Sequence, residues 1–224
     1  MELFRFKAVF LQQHINRILG LLCCVVALLA CHTKNEVLPF YNTADFTAEW
    51  IKPADPKYKN IHTIDTFKMQ NQLGHLITKD SLDGYIYMAN FFFSTCPTIC
   101  PRMTNNLQII QDTFANNKQV KLVSFTVMPW VDSVSTLKTY GENHSINPNK
   151  WYLLTGNKAR IYKLGRESYF SERRLGLQRD SSYFLHTESM LLIDKLGRIR
   201  GIYNATQKSD IDRATADIKL LLDE

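Results

Sequence analysis

An α/β sandwich is the fold class this sequence predicts, and three observations carry the prediction. Tyr85 to Phe93 (YIYMANFFF) is a nearly continuous apolar and aromatic run, as expected of a strand buried on both faces. Strand-like and helix-like spans alternate from about residue 59 onward. The chain closes on a strand pair and an amphipathic helix. Its 224 residues suffice for one or two domains with a sizeable core, and 45% hydrophobic against 21% charged residues excludes a wholly disordered chain.

Taken in order, Thr66 to Thr78 reads as two short strands around Leu73-Gly74, and Tyr85–Phe93 follows as the central strand. Pro101 suits the first turn of a helix, where its missing N–H costs nothing, and Met103, Leu107, Ile110 and Phe114 recur behind it at helical spacing. Val120 to Val127 is a valine-rich strand, Asp132 to Tyr140 a helix, Trp151 to Leu154 a short strand and Ala159 to Tyr169 a helix. Met190–Ile193 and Ile199–Tyr203 form a hairpin turning at Asp194-Lys195-Leu196-Gly197. Ser209-x-x-Asp212 resembles a capping box, and Ile211, Ala214, Ile218, Leu221 and Leu222 give the last helix one apolar face. This succession predicts a thioredoxin-like sandwich.

Ahead of the domain, Arg5, Lys7 and Arg17 precede the uncharged run Ile18–Ala30. A bilayer span takes about 20 residues; this shorter run suits the apolar region of an export signal. It ends Leu28-Leu29-Ala30-Cys31, which resembles a bacterial lipobox, the motif whose cysteine sulfur receives a lipid. The competing reading is a membrane helix starting near Phe10, which Gln12, Gln13, His14, Asn16 and Arg17 interrupt. The expected organisation is therefore a signal peptide over 1–30, a lipid-anchored linker over 31–58 containing Pro39, Pro53 and Pro56, and a folded domain over 59–224. Lipid on Cys31 places the chain on a bacterial cell membrane, with the domain on the periplasmic side. Removing residues 1–30 takes away three Lys/Arg and one Asp/Glu, which lowers the net charge from +6 to +4. No Lys/Arg run with interleaved aromatics points to nucleic acid. Tyr152, Tyr162 and Tyr169, with Arg160, Arg166, Arg173 and Arg174, read as core aromatics and a solvated helix face, with a partner surface as the alternative.

Of five cysteines, Cys23 and Cys24 leave with the signal and Cys31 takes the lipid, which leaves Cys96 and Cys100. Both lie where the central strand runs into a helix. Partial positive charge and free N–H groups at a helix start favour thiolate over thiol. Thiolate is both the nucleophile of disulfide exchange and a soft metal ligand, and the four-residue spacing brings two sulfurs to one another or to one ion. A structural disulfide is the competing reading, favoured by an oxidising compartment. Among the histidines, His186 comes shortly before the strand Met190–Ile193. In a thioredoxin-like fold that loop faces the cysteine turn, which makes His186 the best third ligand.

The segment Asn90-Phe91-Phe92-Phe93-Ser94-Thr95-Cys96-Pro97-Thr98-Ile99-Cys100-Pro101, with His186 ninety residues beyond Cys96, closely resembles the Sco/SenC family. The similarity covers roughly residues 62–222, including Gln72-Leu73-Gly74 and Leu192-Ile193-Asp194. The resemblance implies a membrane-tethered, copper-binding, thioredoxin-like domain that serves the dinuclear copper centre of cytochrome c oxidase as metallochaperone or thiol reductant. Cys96, Cys100 and His186 would be the copper ligands. The partner would be the oxidase copper subunit or another periplasmic copper or thiol protein. Two thiolates and one imidazole suit Cu(I) and are compatible with Cu(II), whereas structural zinc normally takes four protein ligands. Two positions depart from the family pattern: Met128 and Leu185 stand where many members have aspartate. The alternative function is a thiol–disulfide oxidoreductase in which Cys96 attacks and Cys100 resolves the mixed disulfide.

Overall fold

The computed structural model describes residues 37–171 and 188–224. Its centre is a five-stranded sheet in the order β7-β6-β5-β8-β9. The strands are β5 (Ile86–Phe92), β6 (Val120–Thr126), β7 (Trp151–Leu154), β8 (Ser189–Ile193) and β9 (Ile199–Asn204). β5, β6 and β7 run parallel, and β8 and β9 complete the sheet as antiparallel strands beyond β5. Among the described residues four α-helices accompany it: α1 (Ile99–Thr113), α2 (Val134–Asn143), α3 (Lys158–Lys163) and α4 (Lys208–Asp223). This is the mixed α/β arrangement the sequence predicts, with each central strand within a residue or two of its expected place.

β5 divides the interior. All seven of its residues are buried, and their alternation sends successive side chains to opposite faces. Ile86, Met88 and Phe92 join a core with Met103, Leu107 and Ile110 of α1, Leu137 of α2, and Ile211, Ala214 and Ile218 of α4. Tyr87, Ala89 and Phe91 join a second core with Phe67, Met69, Ile77 and Ile161. The second face is closed by a small hairpin, β3 (Lys68–Gln70) and β4 (Leu76–Thr78), whose turn uses the positive φ of Gly74 at 78°. Gly197, also at φ 78°, turns the β8–β9 hairpin in the same way. Tyr162 and Tyr169 are buried in the second core, as core aromatics rather than a partner surface.

Three expectations need correction. The first concerns the tether. Residues 37–58 are folded onto the domain, with a two-residue strand pair, β1 (Phe40–Tyr41) and β2 (Ala48–Glu49), and buried Leu38, Phe40 and Ala44. Arg200 holds this segment in place. Its guanidinium donates to the carbonyls of Pro39 (3.1 Å) and Leu38 (2.8 Å) and pairs with Glu224 through two contacts at 2.7 and 2.9 Å. Asp194 lies 3.4 Å from the same group. Short polar sequence hid a segment whose partners lie some 160 positions away. The second correction is the capping box. α4 starts at Lys208, so Ser209 falls inside its first turn, and it is Asp210 that accepts, from the Asn204 N–H at 2.6 Å. The third is the helix over 159–169, which widens into a π-turn over Leu164–Ser168. There Ser168, fully buried, is tied to the segment ahead of β3: its carbonyl accepts from His62 Nε2 (2.8 Å) and its Oγ from the Asp65 N–H (2.7 Å). The widened turn is closed by Tyr169 N–H to Leu164 O at 3.0 Å.

Replacing Arg200 with alanine strands buried acceptors on Leu38 and Pro39 and unpairs Glu224. The expected result is a loss of about 2–3 kcal/mol in urea unfolding, together with faster proteolysis between residues 37 and 50. Unchanged stability would contradict the anchoring role.

Candidate metal centre

The two cysteines are placed by backbone rules. β5 ends at Phe92, and Ser94–Thr98 form the turn that feeds α1. Thr98 occupies the cap position but makes no side-chain capping bond. The Cys96 sulfur takes that role, accepting from the Cys100 N–H at 3.4 Å. A helix start leaves its first N–H groups without backbone partners, and here one of them meets sulfur instead of a hydroxyl oxygen. Cys96 and Cys100 are both buried, both free thiols, and both part of the first core.

The environment separates the two thiols. Burial pushes Cys96 up, but N–H groups of Cys100, Thr98 and Ile99 and the Cys100 thiol together outweigh it, so its pKa falls below the ordinary 9.0. Cys100 lies deeper. Burial, with added contributions from Cys96 and the charge of Asp132, pushes its thiol up to about 12. One sulfur thus gives up its proton more readily than an ordinary cysteine, and the other holds its proton more tightly.

Asp132 was not singled out in the sequence, where it reads only as the first residue of a helix. α2 in fact begins at Val134 behind Ser133, whose Oγ accepts from the Thr136 N–H at 3.2 Å. That leaves Asp132 in the preceding turn, fully buried. Its carboxylate accepts from the Ser94 N–H (3.2 Å to Oδ2), the Ser94 hydroxyl and the Thr126 hydroxyl. It therefore clasps the cysteine turn to the end of β6, beside a backbone bond from Val127 N–H to Phe92 O at 2.8 Å. No periodicity or spacing signals such a residue; only its three donors do. Tyr140 is a second unforeseen neighbour. Its hydroxyl meets Thr104 Oγ1 at 2.8 Å, its ring packs on Phe92, and burial drives its phenol up to about 12.

The structure brings Cys96 and Cys100 together on one turn. His186 and Cys31 lie outside the described residues, as does Leu185. Among the described residues no third His, Cys, Asp or Glu joins the sulfurs, and no helix is long and apolar enough to cross a membrane. The donor chemistry present fits a soft, thiophilic ion: two sulfurs on one turn, one already favoured as thiolate.

Known proteins resemble this chain in sequence and in fold. The SCO1/SenC family model matches residues 55–223. The SCO1 protein homolog of Bacillus subtilis is 29% identical over 160 residues, which cover 70% of this chain and 82% of that protein. BsSco, described as a member of the Sco family of cytochrome c oxidase assembly proteins with a disulfide switch, superposes with a TM-score of 0.61 at 28% identity, covering 71% of this chain and 92% of that one. ScoI of Arabidopsis thaliana, solved with copper bound, gives 0.56 at 25% identity, covering 71% and 98%.

Two outcomes test the site. Iodoacetamide should modify Cys96 first, its rate rising with pH through a midpoint below 9.0, while Cys100 resists until about pH 12; peptide mass mapping reads the order, and equal rates below pH 9 would contradict it. Asp132→Ala should cost about 2–4 kcal/mol in urea unfolding, because three donors lose a buried charged acceptor. With the strand-to-helix turn, the thiol pair and the matching family model in hand, the chain belongs to the SCO1/SenC family.

Proposed function

We propose that this chain is a membrane-tethered copper metallochaperone for assembly of the copper centre of cytochrome c oxidase. The observation that carries the reading is the Cys96–Cys100 pair at the start of α1, one sulfur favoured as thiolate and the other held as thiol. Copper is the cargo. Cys96 offers the first sulfur, and Cys100 releases its proton as the second sulfur engages, so uptake is linked to pH. His186 supplies the third donor, a nitrogen. Asp132 and the Phe92–Val127 backbone bond keep the turn rigid, so the sulfurs need little rearrangement. Support also comes from the description of BsSco as an oxidase assembly protein and from the copper held by Arabidopsis ScoI. The partner is the copper subunit of the oxidase or another periplasmic copper or thiol protein. Lipid on Cys31 holds the domain on the periplasmic side of a bacterial membrane.

The separated thiol pKa values also favour a second reading, thiol–disulfide exchange with Cys96 as the attacking sulfur and Cys100 resolving. The two roles are compatible, since a copper site with paired cysteines must be reduced before it is loaded.

The reduced chain should bind one copper, with sulfur and nitrogen neighbours in X-ray absorption. Cys96→Ala and His186→Ala should each weaken binding by more than about 100-fold, since even groups behind the ligands are worth about 10–100-fold. Exchange with a small disulfide should survive His186→Ala and vanish in Cys96→Ala. Unchanged copper affinity in both variants would sink the chaperone reading.

A further inference from the structure

We infer that the Met128–Asp132 turn, beside the cysteines, is a docking surface for a partner protein that presents an apolar side chain flanked by carboxylates. The inference rests on the proposed function only in assuming that a partner must approach Cys96.

The turn is fixed in place. Val131 and Asp132 N–H groups both donate to Met128 O at 2.9 Å, Met128 N–H donates to Thr126 Oγ1 at 3.0 Å, and Asp132 is tied to Ser94 in the cysteine turn. A partner resting on residues 128–131 therefore meets a surface held in constant relation to Cys96. That surface is apolar without serving either core. Trp130 is 57% exposed and Val131 36%, with Met128 half-buried beside them and Pro97 exposed on the cysteine turn. Tryptophan offers a large, rigid contact area, and exposed apolar patches of this kind mark interaction sites. One face of the ring is met by a cation: Lys158 Nζ lies 4.8 Å from its centroid.

Charge decides the occupant. Arg102 is the single charged residue in 93–111 and it is exposed, while Asp132, the single charged residue in 126–134, is buried and bound to its donors. Lys158, exposed on α3, flanks the turn through its contact with the Trp130 ring. The approach to Cys96 from this side thus offers cations and an aromatic ring and no exposed carboxylate along 93–111 and 126–134. Its complement is an acidic surface with an apolar anchor at its centre.

The test uses the purified full chain and two peptides of equal length. One places a leucine among aspartates and the other a leucine among lysines, and each carries one cysteine joined to 2-thiopyridine by a disulfide. Cys96 thiolate attacks the peptide sulfur, the Cys96–peptide disulfide forms, the pyridyl disulfide breaks, and 2-thiopyridone leaves with the electron pair and is read by absorbance. Rates are referred to that of a small neutral pyridyl disulfide. The aspartate peptide should react about tenfold faster than the lysine peptide at low salt, and the difference should shrink as salt is added. Trp130→Ala should reduce the advantage by roughly fivefold, and Lys158→Glu should reverse the preference. Equal rates for the two peptides, or an advantage untouched by Trp130→Ala, would overturn the inference. So would equal rates combined with loss of binding to phosphatidylserine vesicles in Trp130→Ala, which assigns the turn to a membrane. A dimer in light scattering that Trp130→Ala dissolves overturns it too, by assigning the turn to a second copy. No copper is present in this assay, so its failure leaves the copper reading intact. Failed copper binding alongside a retained peptide preference removes the copper reading alone.

Discussion

The rest of the structure depends on burying β5 on both faces. A strand with one wet face can tolerate polar alternation; one with two dry faces must be apolar nearly throughout and must find partners on each edge. β5 has β6 on one side and β8 on the other, and it feeds side chains to two separate cores. Its carboxyl end is consequently among the least movable points of the domain. The cysteine turn begins there, so the sulfurs inherit that rigidity from backbone pairing and core packing rather than from a disulfide.

Chemistry follows from how the next helix starts. A helix with an effective side-chain cap satisfies its first N–H groups with oxygen. α1 has no such cap, and the Cys96 sulfur stands in. The unsatisfied backbone that would otherwise be a local weakness becomes the force that favours thiolate at one cysteine. The neighbouring cysteine, one turn deeper in the core, feels mainly burial. Two identical side chains four positions apart are thus made unlike by depth, with Asp132 fixing the geometry that keeps them so.

Local patterns were legible in the sequence, and distant pairings were not. The run YIYMANFFF announced β5, glycine at 74 and 197 announced both hairpin turns, and the strand-to-helix junction announced the reactive sulfurs. Asp132 gave no sign, because its donors on Ser94 and Thr126 come from two other segments. Arg200 was equally silent: an arginine in a strand reads as solvent-facing until Leu38, Pro39 and Glu224 are seen around it. Ser209 misled for the opposite reason, since a capping pattern one residue inside the helix is indistinguishable from one at its start.

Docking of residues 37–41 changes how far the domain can stray. If Cys31 carries the proposed lipid, residues 37–58 add no slack to the anchor, because they belong to the folded unit Val37–Glu224. Free and extended, that 37–58 segment would have added about 75 Å of reach. A domain held on a membrane as proposed, without that slack, would meet its partners as a search in two dimensions among membrane-bound neighbours. Local concentration of an acceptor embedded in the same membrane then stands in for tight binding, and a cargo can be handed over between partners that hold each other only weakly.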